Sequence, residues 1–376
     1  MTFDQMIQAA SARGASDIHL RADRVPLVRV DGLLERWTNV APISGPALEA
    51  ISTRLLSPTH QAQLQTKLEV DIAWQAPGVG RIRASVFRQR GTIGVSMRLI
   101  PDVIPTLEEL GLPPSVAGLC AESRGLILLT GATGTGKSTT LAAMVDLINR
   151  TRALHIITIE DPIEFVHNDH TAVVTQREVG FDTPEYSTGL RSALRQDPDV
   201  ILIGEMRDVD TIETALVAAE TGHLVLSTLH TMDAPETVNR IVAVFPPHQQ
   251  IQIRHQLASV FKATVSQRLL PRADGRGRVL AAEVLMGSAY VKDCISDPEK
   301  TAAIAQAIVQ AGNQYGMQSF DQAILKLCVD KLVTVEEATK WVTNVEEFKM
   351  RLRGISSGSS ALVNASLSSN IERFGS

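Results

Sequence analysis

Residues Gly125 to Ser138 read GLILLTGATGTGKS, an unbroken apolar run that turns directly into the pattern G-x-x-x-x-G-K-S. A strand, this glycine-rich loop and then a helix form the context in which a backbone cradles phosphates. The glycines let N–H groups close around phosphate oxygens at the positive end of the following helix, which stabilises anions. The stretch therefore predicts a buried strand, a phosphate loop and a helix from Lys137 to about Arg150. Contacts to ATP are expected from Gly131, Ala132, Thr133, Gly134, Thr135, Gly136, Lys137, Ser138 and Thr139. Lys137 should meet the β- and γ-phosphates, and Ser138 should ligate Mg2+, which prefers octahedral oxygen ligands.

Outward from the loop, apolar runs alternate with helical patterns: HIITI, VILI, a helix over Val209–Glu220, then HLVLST. That order implies a parallel sheet sandwiched by helices, with ligands at the carboxyl ends of its strands. Three further segments lie at strand ends. In IITIEDPIEFVH, Glu160, Asp161 and Glu164 follow a strand, and Pro162 fixes the bend between them. Carboxylates in such a cluster are ordinarily solvated, but a strand end beside a phosphate loop favours a role at the γ-phosphate. In DPDVILIGEMRD the strand ends in Gly204 and Glu205, where a nucleotide site usually carries Asp. In TGHLVLSTLHT, His223 and His230 bracket a strand; a lone histidine more often packs, yet at a strand end near phosphate either imidazole can sense it.

Before Pro101 the texture is that of a small α+β domain. Phe3, Met6, Ile7 and Ala10 recur at helical spacing and Gly14 stops the helix. LVRVDGLLERW places Asp31 and Gly32 between apolar stretches, a hairpin signal, and VDIAW and GRIRASVFRQRGTIGVSMRLI read as strands. The segment IPDVIPTLEELGLPP has four prolines and a capping box from Thr106 to Glu109, as in a linker around one short helix. The expected organisation is an N-terminal domain over 1–101, a linker over 102–115, an ATPase domain with C-terminal helices over 116–353, and a disordered Ser/Gly-rich tail over 354–376.

Composition narrows the function. With 44% apolar and 20% charged residues in 376, the chain has the make-up of a globular protein of two domains. No apolar run reaches the ~18–20 residues needed to span a bilayer, and Asp4 and Gln5 stand where a secretory signal carries positive charge. Export is not expected. Three widely spaced cysteines support neither a disulfide framework nor a zinc knuckle and suit a reducing cytoplasm. A net charge of −5, 4% aromatic residues and no Lys/Arg-rich run argue against a nucleic-acid motor, so no nucleic-acid partner is expected.

Together GATGTGKSTT, IEDPIEFVH, RQDPDVILIGEMRD and AAETGHLVLSTLHT resemble the Walker A, Asp box, atypical Walker B and His box of the secretion-superfamily ATPases. Within that superfamily the chain is similar to the type IV pilus retraction ATPase (PilT) family, from ASDIHL to about Leu352. VDG, GRIR, RIVAVFP and YGMQSFDQAIL add to the likeness. The resemblance implies a RecA-like P-loop ATPase domain with a parallel-dominated sheet, preceded by a PAS-like α+β domain. It also implies a homo-hexameric cytoplasmic motor at the inner-membrane base of a pilus, with a membrane platform protein and a paralogous pilus ATPase as partners. On that footing Mg2+ is assigned to Ser138, with Glu205 acting through a coordinated water. Glu164 is the first choice for orienting the attacking water and Glu160 the second. Arg81 and Arg83 in GRIR and Arg98 in SMRLIP resemble the family's phosphate-sensing arginines, and alternation sends Arg81 and Arg83 to one strand face. One departure bears on direction of movement: where the family carries A-I-R-N-L-I-R-E, Ala289–Lys300 reads AYVKDCISDPEK. An accessory motor of the PilU kind, or another type II/IV secretion ATPase, is the alternative. A regulatory subunit that binds ATP without hydrolysing it is a further one, opposed by the intact Lys137, Ser138, Glu164 and Glu205.

Overall fold

The computed structural model describes residues 1–30, 32–100, 103–311 and 315–353. The expected end of the first domain at Pro101, the turn residue Asp31 and the tail over 354–376 lie outside the described residues. The chain divides into two compact units, Met1–Ile104 with Glu164–Val166, and Pro105–Ile163 with the chain from His167 onward.

In the first unit α1 (Phe3–Ala12) begins with a capping box from Thr2 to Gln5 and buries Met6, Ile7 and Ala10. It is followed by β1 (Ala15–Arg21), β2 (Leu27–Val30), β3 (Leu33–Arg36), α2 (Gly45–Leu55), α3 (Pro58–Lys67), β4 (Glu69–Ala76), β5 (Gly80–Gln89) and β6 (Thr92–Leu99). The strands form one antiparallel sheet in the order β3-β2-β1-β6-β5-β4. Ile18, Leu20, Ile82, Ala84, Val86, Val95 and Met97 alternate onto the core face with the helices. The other face therefore carries the alternate residues, Arg81 and Arg83 among them.

The second unit starts with a turn. Thr106 and Glu109 make both capping-box hydrogen bonds, but Gly111 and Pro113 follow so closely that a single turn forms in place of the expected short helix. Its elements are α4 (Pro114–Leu119), β7 (Gly125–Thr130), α5 (Lys137–Thr151), β8 (His155–Glu160), β9 (Val173–Glu178), α6 (Tyr186–Ala193), β10 (Val200–Ile203), α7 (Val209–Glu220) and β11 (Leu224–Leu229). Next come α8 (Ala234–Ala243), α9 (Gln250–Val260), β12 (Phe261–Pro271), β13 (Arg278–Met286), α10 (Ala289–Ser296), α11 (Ala303–Ala311), α12 (Phe320–Val329), α13 (Val335–Ala338) and α14 (Val345–Leu352).

Seven strands form a sheet in the order β13-β12-β7-β11-β10-β8-β9, parallel throughout except at the β12–β13 pair. Every residue of β7, β10 and β11 is buried, because helices cover both faces, and this is why those strands read as continuous apolar runs. Among the described residues no helix is long and apolar enough to cross a membrane.

Candidate functional site

Strand register assembles the site. Thr130 pairs with Leu229, Ser227 with Ile203, and Ile203 with Ile159, so the carboxyl ends of β7, β11, β10 and β8 lie side by side. The segments that follow them are the phosphate loop, His230, Gly204–Glu205 and Glu160–Asp161. Neighbouring strands are about 4.8 Å apart, so four segments distant in sequence become adjacent.

The phosphate loop leaves β7 at Gly131, whose φ of 139° lies in a region open to glycine. A Cβ there would come within 2.5 Å of the Gln267 carbonyl oxygen and 2.7 Å of Thr135 Oγ1. Lys137, 8% exposed, opens α5 and donates from Nζ to the carbonyls of Gly131 (2.8 Å) and Ala132 (3.1 Å). Thr135 Oγ1 donates to the Ala132 carbonyl, and Thr140 is held by Gln267 Nε2 at 2.6 Å. Ala132, Thr133 and Gly134 are exposed, whereas Ser138 and Thr139 are half-buried on the first helical turn.

His230 joins this loop to the Walker B segment. Its Nδ1 lies 3.5 Å from Thr133 Oγ1, and its Nε2 lies 3.3 Å from Glu205 Oε2. Arg207 Nη2 meets the same Oε2 at 2.7 Å. Burial works to raise the Glu205 carboxyl, but the hydrogen bond from Arg207 and the charges of His230 and Arg207 outweigh it, and Glu205 stays below the ordinary carboxylate range. Sequence reasoning had passed over Arg207, although it stands two residues from Glu205 in the same strand-end segment.

Gly204 has a packing reason. A Cβ on it would lie 2.9 Å from Tyr186 Oη and 3.3 Å from Glu160 Cα. Its amide donates to the Ile159 carbonyl and its carbonyl accepts from Thr228 Oγ1. The position is tightly held, and the room for a side chain is already filled. Tyr186 is half-buried; burial first, then Asp161, Glu205 and Glu160, raise its pKa, so its hydroxyl stays neutral.

The Asp-box carboxylates separate. Glu160 ends β8 and accepts hydrogen bonds at Oε1 from Thr158 Oγ1 (2.7 Å) and Gln176 Nε2 (3.1 Å). Asp161–Pro162 is a cis peptide. Glu164 is exposed, falls with the first unit, and among the described residues takes no hydrogen bond or ion pair. His167 is mostly buried, and burial lowers its pKa to about 4, so its imidazole is neutral at pH 7. Gln176 and Glu178, both missed from sequence, lie on the polar edge strand β9, whose lack of an apolar run left it without a signal.

The remaining candidates lie elsewhere. His223 precedes β11, at the opposite end of the strand from His230, and its Nδ1 bonds to the Ala218 carbonyl at the end of α7. Six strand residues place it about 20 Å from the phosphate-loop end, so within the chain it does not join the site. Arg81, Arg83 and Arg98 are in the first unit. Arg83 faces Arg98 across β5–β6, and Arg98 in turn faces Asp17 across β6–β1. Arg98 Nε donates to Asp17 Oδ1 at 3.0 Å, so this arginine already has a carboxylate partner.

Mg2+ is bound by one or two protein oxygens together with phosphates and water. The Ser138 hydroxyl, which among the described residues takes no hydrogen bond, and the charged Glu205 carboxylate are donors of the kind it takes, so the residues fit.

A family model described as type II/IV secretion system protein matches residues 1–340. The type IV pilus retraction ATPase PilT of Pseudomonas aeruginosa is 41% identical, covering 93% of this chain and 100% of that one. The type IV pilus ATPase PilU of the same organism is 37% identical over 94% of this chain and 92% of its own. Among solved structures, the pilus retraction motor PilT with bound ADP matches with a TM-score of 0.85 and 43% identity, covering 92% of this chain and 98% of that one. The chain belongs to the type II/IV secretion system protein family, in its PilT-like branch.

Proposed function

We propose that the chain is an ATP-hydrolysing motor that drives disassembly of type IV pili, and so twitching motility. The observation that carries this reading is the connection from the phosphate loop through Thr133 and His230 to Glu205 and Arg207, at adjacent strand ends. A chain of polar contacts between a phosphate loop and a charged carboxylate is what a motor needs to report the state of the γ-phosphate.

Phosphoryl transfer to water depends mainly on positioning and charge stabilisation. On binding ATP, Lys137 exchanges the two loop carbonyls for phosphate oxygens, and Ser138, supported by Glu205, would hold Mg2+. Bound there, the metal would supply positive charge to offset that of the phosphates. Glu164, exposed and among the described residues without a hydrogen bond or ion pair, is the first choice for orienting the attacking water, and Glu160 is the second. His230 carries loss of the γ-phosphate to Glu205. Arg81 and Arg83 supply positive charge from the first domain in the assembled homo-hexamer, and their release after hydrolysis lets one domain move against the other. The working place is the cytoplasmic face of the inner membrane at the pilus base, with the platform protein and a paralogous ATPase as partners. An accessory role of the PilU kind is the second reading, and the observation that favours it is AYVKDCISDPEK over Ala289–Lys300.

Steady-state turnover of Glu164→Gln tests the mechanism. The variant should bind ATP and assemble, yet lose hydrolysis. Near-normal turnover would move the water-orienting role to Glu160.

A further inference from the structure

β9 lies at the sheet edge, in parallel register with β8, so Thr158 pairs with Gln176 and Glu160 with Glu178. Strand alternation puts all four side chains on one face. There the Gln176 amide does two things at once. Its Nε2 donates to Glu160 Oε1 at 3.1 Å, and its Oε1 accepts the His167 backbone N–H at 2.8 Å. Two residues on, Glu178, 3% exposed, accepts the Ile163 N–H at 3.2 Å. The Asp-box loop from Glu160 to His167 is thus held at its first side chain, its middle and its last backbone amide by one pair of β9 residues.

We propose that Gln176 is a positioning residue for hydrolysis: it fixes the Glu160 carboxylate and, by tying His167 to it, sets the span of the loop that carries Glu164. This rests on the reading that the Asp-box glutamates orient water. A bond that only stapled a loop would join backbone to backbone or to an uninvolved side chain. Here one bond ends on a carboxylate at the carboxyl end of β8, whose Cα lies against Gly204 in the neighbouring Walker B segment. Thr158 Oγ1 donates to the same oxygen at 2.7 Å, so Thr158 and Gln176 both bear on the orientation of Glu160. A side-chain amide can donate to a carboxylate from its nitrogen and accept from a backbone N–H at its oxygen simultaneously.

That dual chemistry provides the test. Gln176→Glu retains an acceptor for the His167 N–H but replaces the donor facing Glu160 with a second carboxylate. Gln176→Leu removes both bonds. In the full chain, both variants should lower kcat by about tenfold to a hundredfold, the scale of a misplaced reacting group, with KM and fluorescent ATP-analogue affinity within about twofold. Gln176→Glu should keep a near-normal melting temperature, so it carries the test if Gln176→Leu misfolds. In a Glu160→Gln background Gln176→Glu should add little further loss. Wild-type kcat in Gln176→Glu, with Glu160→Gln or Glu164→Gln impaired, would overturn the positioning role alone. Wild-type kcat in both glutamate variants would overturn the water-orienting reading, and this inference with it.

Discussion

A Cβ on Gly204 would stand 2.9 Å from the hydroxyl of Tyr186, closer than side chains pack. The residue that looks like a missing aspartate in the Walker B segment is therefore a glycine because Tyr186 and the Glu160 backbone occupy its space. Gly204→Ala should destabilise the chain by about 1–3 kcal/mol, as overpacked cores do. Adding Tyr186→Phe, which removes the hydroxyl, should recover part of that loss. Urea unfolding of the single and double variants measures both; equal stability of Gly204→Ala and wild type would remove the packing account.

Glu283 on β13 gives a pH-dependent prediction. Burial raises its carboxyl to about 7, against the hydrogen bond it accepts from the Ala234 amide. A folded-state pKa above the unfolded one means stability that is full below the unfolded value of 4.5 and lost as pH climbs to about 7. Glu283→Gln should thus be more stable than wild type at pH 8, on the order of 2–3 kcal/mol, and lose that advantage near pH 5. Chemical denaturation at the two pH values checks the sign.

The arginines of the first unit divide by partner. Arg98 is held by Asp17, which is 8% exposed, whereas among the described residues Arg83 has no ion pair. Arg98→Ala should cost about 1–2 kcal/mol, less than a fully buried pair because the Arg98 side chain is 67% exposed. Arg83→Ala should stay within about 0.5 kcal/mol. Thermal melts compare them, and equal losses would deny the Asp17 pair its role.

Catalysis separates from stability at Arg81. Arg81→Ala should lower turnover far more than nucleotide affinity, the signature of an interaction made mainly in the transition state. An unchanged turnover number would take Arg81 out of the site.

What was legible follows from burial. GLILLT, HIITI, VILI and HLVLST are enclosed on both sides and wrote themselves as apolar runs, and the loop glycines announced the phosphate site. β9, reading VVTQRE, lies at the edge with polar residues aimed at a loop, so neither the strand nor the role of Gln176 had a pattern to show. Position 204 was visible as an anomaly, but its cause is a contact with Tyr186, eighteen residues earlier, that no local pattern encodes. The two histidines of TGHLVLSTLHT bracket the strand already in the sequence, but only the parallel register of β11 with β7 shows that His230, and not His223, lies at the phosphate-loop end.

Surface piliation and twitching in a clean deletion, complemented by wild-type or Lys137→Ala protein, test the central claim most directly. Retraction driven by ATP at this site predicts excess pili without twitching in the deletion and with Lys137→Ala, and recovery with wild type. Bald cells, or twitching restored by Lys137→Ala, would contradict it.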